Sequence, residues 1–185
     1  VIAIDDLSMP LPPMRSPEVR ERVLNIVLQL LDDHGVDDVE MIIATSLHRR
    51  MTGDEIRHMV GKKIFDKYYP RRLYNHDAED PNGMALVGET ELGEKVIINK
   101  KAVESDLLIY VNLNLVPMNG GHKSVTVGLC NYEALKPHHN PYVMSDPHTY
   151  MDPEVSSLAK VIERMGKVVN KKLNVFTIET TINNR

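Results

Sequence analysis

The sequence is poor in cysteine and in aromatic residues. Its 185 residues include one cysteine, Cys130, two phenylalanines and no tryptophan. A single cysteine excludes an intrachain disulfide framework and any zinc site built on a Cys-x-x-Cys pair. This cysteine usage is typical of a reducing compartment, and we expect a cytoplasmic protein.

Long apolar runs and an excess of positive charge are also lacking. The longest apolar run, Leu107–Val111, is far shorter than the ~20 residues that cross a bilayer as a helix. The net charge is −4 and the isoelectric point is near 6.1. We therefore expect neither a membrane nor a nucleic acid as a partner.

What the sequence does contain is enough apolar material for one sizeable core. Hydrophobic residues make up 42% of the chain. This content and length indicate one domain rather than two. Strand-like runs stand at both ends, Val1–Ile4 and Leu173–Ile182. We expect the chain to be one of two domains of a longer protein.

The order of elements predicts an α/β fold. Strand-like runs at Val1–Ile4 and Val39–Thr45 alternate with two helices. The first helix is predicted to start at Ser16-Pro17-Glu18, with Ser16 as N-cap, and the second at the capping box Thr52-Gly53-Asp54-Glu55. Such alternation is typical of parallel strands. We predict a Rossmann-like three-layer domain with a mostly parallel sheet.

Further elements follow at less regular intervals. Short apolar runs predict two more strands and a hairpin around Gly93, and helical spacing predicts three more helices. These predicted elements are the strand Leu73–Asp77, the hairpin Met84–Thr90 with Lys95–Asn99, the helix Ala102–Ser105, the strand Leu107–Asn112, the helix Val125–Leu135 and a helix that begins at Asp152-Pro153-Glu154.

Polar side chains cluster after three of the predicted strands. Parallel strands end at one edge of a sheet, where ligands bind in open α/β folds. We therefore expect these three clusters to converge there, together with a fourth, His138 and His139, at the end of the helix that follows. The first three are Asp5, Asp6 and Ser8 after the first strand, Ser46, His48 and Arg49 after the second, and Asn119 to Ser124 after Leu107–Asn112.

The glycine pair in Gly120-Gly121-His122-Lys123-Ser124 precedes a predicted helix. A nucleotide-binding P-loop would need a further glycine where Val116 stands, so the motif is incomplete and the signal for an NTPase is weak. Two readings stay open. The backbone N–H groups of the turn suit an anion such as a phosphate, or the segment is an ordinary tight turn with a solvated lysine.

Eight histidines are many for this length, but their spacing gives few signals. His34 and His58 lie late in helices, where a cation meets the negative end of the helix dipole. His76 is interpreted as structural, oriented against Asp77. The pair His138-His139 is a weak metal signal, because no second ligand stands at a recognised spacing. A metal bound there would need other ligands from a cofactor.

Five motifs in order resemble the N-terminal domain of the nickel-dependent lactate racemase family. That family shows Asp-x-Thr-Arg-Pro-x-Pro, Ala-Thr-Gly-x-His-Arg, Ile-Asn-Lys, Ala-Asp-Leu-Leu-Ile and Gly-Gly-x-Lys-Ser. The corresponding stretches here are Asp6–Pro12, Ala44–Arg49, Ile98–Lys100, Ser105–Ile109 and Gly120–Ser124. His139 stands sixteen residues beyond Lys123, where the family has its metal-binding histidine. The similarity covers nearly the whole chain.

The resemblance implies a cofactor-binding domain over residues 1–185 and a second domain outside this sequence. The implied cofactor is a nickel-pincer nucleotide, pyridinium-3-thioamide-5-thiocarboxylic acid mononucleotide with nickel. The resemblance places Lys123 as its covalent attachment point and His139 as the nickel ligand, with His138 as second choice. His48 would be an acid/base residue. Residues implied to contact the cofactor are Gly120, Gly121, Ser124, Asp6 and Ser8.

The resemblance also implies the reaction, racemisation or epimerisation of a 2-hydroxy acid such as lactate or a sugar acid. Hydride leaves the substrate carbon for the pyridinium ring while a histidine takes the hydroxyl proton, and its reversal on the other face inverts the centre. Histidine suits this role because its pKa lies near neutrality. The implied partners are the substrate, the protein's own C-terminal domain and cofactor maturation proteins.

Two departures from the family keep other functions open. The family's arginine after Asp-x-Thr is Met9 here, and the segment Tyr110–Asn119, where the family has its second acid/base histidine, contains none. A binding domain that holds a cofactor or an anion without racemase activity is therefore the alternative. An unrelated hydrolase or oxidoreductase has no supporting motif, since no Gly-x-Gly-x-x-Gly follows a strand.

Overall fold

The computed structural model describes residues 1–7 and 14–181. Seven strands form within these stretches: Ile2–Asp5 (β1), Met41–Ala44 (β2), Leu73–Asn75 (β3), Met84–Glu89 (β4), Lys95–Asn99 (β5), Leu108–Asn114 (β6) and Val175–Thr181 (β7). Eight helices accompany them there: Val19–Asp33 (α1), Gly53–Val60 (α2), Lys62–Tyr68 (α3), Lys100–Glu104 (α4), His122–Gly128 (α5), Tyr132–Leu135 (α6), Pro141–Met144 (α7) and Ser157–Asn170 (α8).

Five of these strands form one parallel sheet in the order β3-β2-β1-β6-β7. The short apolar strand β1 lies in the centre, where Ile2 is paired with Met41 on one side and Ile109 on the other. Its residues 2–4 are almost fully buried. A central parallel strand is covered on both faces and therefore needs a continuous apolar run. The predicted mostly parallel sheet is confirmed.

The alternating side chains of the strands enter two separate cores, which produces the three predicted layers. On one face Ile2, Ile4 and their neighbours pack against α1, α2 and α3. On the other face Ala3 and Tyr110 pack against α5, α8 and the antiparallel hairpin β4-β5. The α/β fold class is thus confirmed. Within the described residues, no helix is long and apolar enough to cross a bilayer.

Two helix starts differ from the prediction because other side chains cap them. The N-cap of α1 is Glu18, not Ser16, since the Glu18 carboxylate accepts a hydrogen bond from the Arg20 N–H. Helix α8 begins after Ser156, whose hydroxyl accepts from the Ala159 N–H. The predicted cap, Asp152, instead accepts from the Glu154 N–H in a turn before the helix.

The single helix predicted over residues 125–135 is also wrong. Helix α5 ends at Gly128, Cys130 forms an isolated β-bridge with Ile98, and Asn131 then caps a new helix, α6. Sequence reasoning missed α3 and α7 altogether. The strands and the capping box of Thr52 and Glu55 were predicted correctly, and the strand ends lie within two residues of the predicted ones.

Candidate functional site

A cavity of about 790 Å³ opens at the carboxyl ends of β1, β2 and β6. Three of the four polar clusters predicted to converge do meet around it. Of the residues singled out in the sequence, those that line this cavity are Asp5, Asp6, Ser46, His48, Arg49, Asn119, Gly120, Lys123 and Ser124. Gly121, His138 and His139 lie outside its lining, and Ser8 and Met9 fall outside the described residues.

His48 forms a hydrogen-bonded pair with Asp6, its Nδ1 lying 3.0 Å from Oδ2 of the carboxylate. With Asp6 ionised, Nδ1 carries the proton and donates, so Nε2 of the neutral ring is free to accept a proton. This hydrogen bond raises the pKa of His48 above its usual 6.5. The family resemblance implies that Asp6 contacts a cofactor, and in this structure its carboxylate is hydrogen-bonded to His48.

Lys123 and Ser124 stand in the first turn of α5. Burial lowers the pKa of the half-buried Lys123 amine, which increases the neutral, nucleophilic fraction. The Ser124 hydroxyl is buried and has no hydrogen-bond partner within residues 1–7 and 14–181. Native proteins rarely leave such a group unsatisfied, so an orphan hydroxyl beside a cavity indicates a place for a ligand's polar atom.

The other cations around the cavity are already neutralised. The Arg49 guanidinium is paired with Glu55 at 2.6 Å, and Arg20 is bound by Glu18 and Asp5. Among the residues that the structure describes, Lys123 is the cavity-lining lysine or arginine for which no ion pair is formed. A negatively charged ligand would therefore meet Lys123 first.

The glycine turn before α5 is held by a carboxylate that sequence reasoning missed. The Gly121 N–H donates to Glu179 Oε1 at 2.5 Å, and Asn114 Nδ2 donates to Oε2 of the same side chain at 2.9 Å. Gly120 has a φ of +84°, and a side chain there would overlap the Glu179 carboxylate. The Gly121 N–H, which the sequence indicated as a donor to a bound anion, thus donates to a carboxylate of the protein itself, Glu179 on β7.

His138 and His139 form a pair whose Nδ1 atoms lie 2.6 Å apart. One Nδ1 must therefore donate and the other accept. His138 is fully buried, its Nε2 has no partner in the described part of the chain, and burial lowers its pKa to about 3. His139 is exposed, and the nearby charges of Lys123 and His48 add to burial in lowering its pKa. Both imidazoles are thus neutral at pH 7, the state that binds metals.

The two histidines are not equivalent as metal ligands. His139 can present Nε2 to an ion while its Nδ1–H donates to His138 Nδ1, the arrangement in which a second group orients a metal-binding ring. His138 Nε2 points into the protein interior. Over residues 1–7 and 14–181, no three His, Cys, Asp or Glu side chains gather as a metal site. A metal held by His139 would need the rest of its ligands from a bound group.

His122 anchors the start of α5 to α8, a role that the sequence pattern did not indicate. Its Nδ1 donates to Glu163 at 2.7 Å, and its Nε2 accepts from Asn170 Nδ2 at 2.9 Å. Both partners lie on α8, and Gly166 between them leaves room for the ring. This contact fixes the turn that carries Lys123.

His76 is structural, but its predicted partner was wrong. The ring is buried, its Nε2 donates to the Cys130 carbonyl at 2.9 Å, and its Nδ1 accepts from Asn99 at 3.2 Å. Asp77 is instead paired with Arg50. His76 therefore connects the end of β3 to the β-bridge at Cys130 and takes no part in the cavity.

A parallel sheet with a polar cavity at its carboxyl edge defines a ligand-binding domain of the α/β class. The family follows from sequence comparison. Residues 1–152 match the lactate racemase N-terminal domain, and the chain belongs to this family. The predicted family is confirmed.

Individual relatives agree. The chain is 28% identical to the lactate racemase of Lactiplantibacillus plantarum over 113 residues, which is 59% of this chain and 26% of that protein. It is also 28% identical to the lactate racemase of Thermoanaerobacterium thermosaccharolyticum over 115 residues, 60% of this chain and 26% of the relative.

Solved structures share the fold. The lactate racemase apoprotein of Thermoanaerobacterium thermosaccharolyticum superposes with a TM-score of 0.75 at 22% identity, covering 98% of this chain and 42% of that one. A Thermotoga maritima protein superposes with a TM-score of 0.72 at 21% identity, covering all of this chain and 46% of the other. The chain thus spans less than half of these structures and aligns with about a quarter of the curated relatives.

Proposed function

We propose that this chain is the cofactor-binding domain of a racemase or epimerase that acts on a 2-hydroxy acid, lactate-like or a sugar acid. The observation that carries the proposal is the cavity at the carboxyl edge of the sheet, where the paired His48 lies with the unpaired Lys123 and the orphan Ser124 hydroxyl. Membership of the lactate racemase N-terminal domain family supports the reaction class.

The residues present fit a nickel-pincer nucleotide. Lys123 offers a half-buried amine of lowered pKa for covalent attachment through a thioamide. His139 offers a neutral imidazole near that lysine, which His138 would hold in the metal-binding tautomer. The Ser124 hydroxyl offers a buried hydrogen bond. When bound, this cofactor supplies a hydride acceptor and a nickel centre whose sulfur donors and one imidazole suit nickel.

The glycine turn fits the cofactor less directly. We propose that Gly120 lines the cofactor's cavity, as it lines the cavity here. Contact between a phosphate and the Gly121 N–H requires the Glu179 carboxylate to withdraw, because two anions cannot share that donor without strong repulsion. Gly121 is therefore the weakest of the proposed cofactor contacts, and Asp6 acts through His48.

The chain's own chemistry is proton transfer and charge placement. Neutral His48 accepts the hydroxyl proton of the substrate at Nε2, and Asp6 stabilises the imidazolium that results. The same proton returns to oxygen when the keto acid is reduced. Met9 stands where the family has an arginine, so recognition of the substrate carboxylate falls to other groups.

We also propose partners for this domain. Residues 1–185 form the N-terminal domain, a C-terminal domain completes the active site, and maturation proteins deliver the cofactor in the cytoplasm. The alternative is a domain that keeps a cofactor or an anion without racemase activity. The absence of histidine from residues 110–119 and the presence of Met9 favour that alternative.

The test is the intact mass of the complete natural protein, purified from cells that make the nickel cofactor, together with nickel quantification. We expect a mass increment on Lys123 and about one nickel per chain. Lys123→Arg should lose both, whereas the matched control Lys160→Arg, at an exposed position of α8, should keep both. His139→Ala should keep the increment and lose most of the nickel.

A racemisation assay then distinguishes a racemase from a domain that only binds the cofactor. Loaded protein is incubated with single enantiomers of lactate and of sugar acids, and the product is resolved by chiral chromatography. Inversion of any of them supports the racemase. Loaded protein that inverts none supports the alternative, and unmodified Lys123 without nickel overturns cofactor binding.

A further inference from the structure

Two carboxylates share one guanidinium at the floor of the cavity. Arg20, only 1% exposed, lies between Glu18 and Asp5. Glu18 is buried as deeply and is bound at several points, with Arg20 Nε 3.1 Å from both oxygens and Nη2 3.0 Å from Oε1. Asp5 is held by one side-chain contact, Nη1 to Oδ1 at 3.2 Å. We name these residues the Glu18–Arg20–Asp5 triad.

The charges of the triad do not balance. One guanidinium cannot neutralise two buried carboxylates, so the fully ionised triad carries an excess negative charge. Burying an uncompensated charge costs far more than binding a proton, so one of the carboxylates takes up a proton. Glu18 is fixed by Arg20 from several sides, which leaves Asp5 as the carboxyl that can take up and release that proton.

Asp5 is also the carboxyl of the triad that the cavity reaches. Its side chain is 18% exposed against 1% for Glu18, and it lines the cavity that His48 also lines. Burial raises the pKa of Asp5 to about 7, although Arg20 acts in the opposite direction. A group that titrates near neutrality can both take and give a proton in one catalytic cycle.

The groups around Asp5 come from several elements. Arg20 and Glu18 belong to α1, and the hydroxyl-bearing Tyr110 belongs to β6. Asp6 follows directly and is itself paired with His48. Lys123 lines the same cavity from α5. Lys123 is the cation of this set without a carboxylate partner in the described part of the chain, and covalent attachment through a thioamide would remove its charge.

We propose that Asp5 is the second proton-transfer residue of this site and works beside His48. This inference rests on the proposed hydroxy-acid function. The O–H bond of the substrate breaks, the proton passes to the Asp5 carboxylate, and the remaining electron pair forms the carbonyl as the C–H hydride leaves for a pyridinium acceptor. In the reverse direction the Asp5 carboxylic acid returns the proton to oxygen as hydride adds to the carbonyl carbon.

The first test needs no activity. The complete natural protein, labelled with ¹³C at aspartate carboxyl carbons, is titrated by NMR, and Asp5→Asn identifies the Asp5 signal. We expect a midpoint near pH 7. Glu18→Gln removes one of the two negative charges around Arg20 and should move that midpoint down by more than one pH unit. An Asp5 signal that titrates below pH 5 in the unaltered protein overturns the proposal.

The second test uses protein loaded with cofactor. Asp5→Asn preserves the shape of the side chain and should keep the Lys123 mass increment and the nickel while lowering racemisation by about 100-fold or more. Asp38→Asn, at an 89% exposed position, is the control and should leave the rate unchanged. Loaded Asp5→Asn that racemises at the unaltered rate overturns the role of Asp5 and leaves the proposed function standing.

The two failures are distinguishable. If the unaltered protein carries no cofactor or inverts no substrate, the proposed function fails and the catalytic role of Asp5 fails with it. The NMR midpoint in that case still decides whether the triad holds a proton on Asp5.

Discussion

The ring of His122 occupies the space that a side chain on Gly166 would need. A Cβ built on Gly166 would overlap the His122 ring, and this close approach allows His122 to reach Glu163 and Asn170 on either side. The helix that begins with His122 carries Lys123, so a glycine on α8 controls the position of the candidate attachment point.

Gly166→Ala tests this relationship. Overpacking at such a contact costs about 1–3 kcal/mol of the free energy of unfolding, because His122 must leave its hydrogen bonds. We expect a decrease of that size in urea unfolding and faster amide exchange in α5. Lys167→Ala, at an exposed neighbouring position of α8, should change the stability by less than about 0.5 kcal/mol. Equal effects of the two substitutions would argue against a specific role for the close approach.

The pair of His48 and Asp6 predicts a pH dependence. Asp6 raises the pKa of His48 above 6.5, so the pair stabilises the fold fully below pH 6.5. That contribution is lost as the pH rises through the higher folded-state pKa. Proton acceptance at Nε2 requires the neutral ring. The fraction of His48 able to accept a proton therefore increases with pH through the same midpoint at which the stabilisation is lost.

Asp6→Asn should move the His48 midpoint to lower pH, because the neutral amide no longer favours the imidazolium. The measurement is an NMR titration of the imidazole nitrogens in the protein without cofactor. Asp77→Asn serves as the control, since Asp77 pairs with Arg50 and lies outside the cavity lining. A midpoint that stays in place or rises in Asp6→Asn would contradict the prediction.

Ser124→Ala separates ligand binding from folding. The Ser124 hydroxyl is buried without a partner in the described chain, and removing an unsatisfied group relieves a penalty of about 1–3 kcal/mol. We expect a higher melting temperature for the cofactor-free protein and weaker cofactor loading. Thr126→Val is the matched contrast, because Thr126 donates to the His122 carbonyl at 2.7 Å and its loss should lower the melting temperature. A destabilised Ser124→Ala would mean that the hydroxyl has a partner after all.

Cys130 should resist thiol reagents in the folded state. It is fully buried, and burial raises its pKa to about 11, so at pH 8 only about one molecule in a thousand carries the thiolate. We expect labelling by an aromatic disulfide reagent to be at least 100-fold slower in the native protein than in urea. Comparable rates would show that the β-bridge at Cys130 opens readily.

The fold was predictable where the signal is local. Runs such as Met41–Ala44 are apolar on both faces and can only be central strands, and the capping box at Thr52 satisfies its own backbone. The start of α1 was not predictable from Ser16 and Pro17. The buried pairing of Glu18 with Arg20 selects the cap, and burial cannot be read from neighbouring residues.

In the candidate site, too, some features could be predicted from the sequence and others depend on packing. The convergence of Asp6, His48 and Lys123 followed from the rule that parallel strands end at one edge. The roles of Glu179 and Gly166 depend on elements far away in the chain, and no local pattern marks them. Asp5 was visible in the sequence, but its significance arises from a shared guanidinium that only the packed structure contains.

The placement of β1 sets a sequence of events during synthesis. Ile2 can pair with Met41 early, but its other neighbour, Ile109, leaves the ribosome only several seconds later at roughly 5–20 residues per second. Until then one edge of β1 is unpaired and apolar, a surface to which other nascent chains can add. We expect abundant chaperones to raise the yield of folded protein, because they can cover the unpaired edge of β1 until translation supplies residue 109.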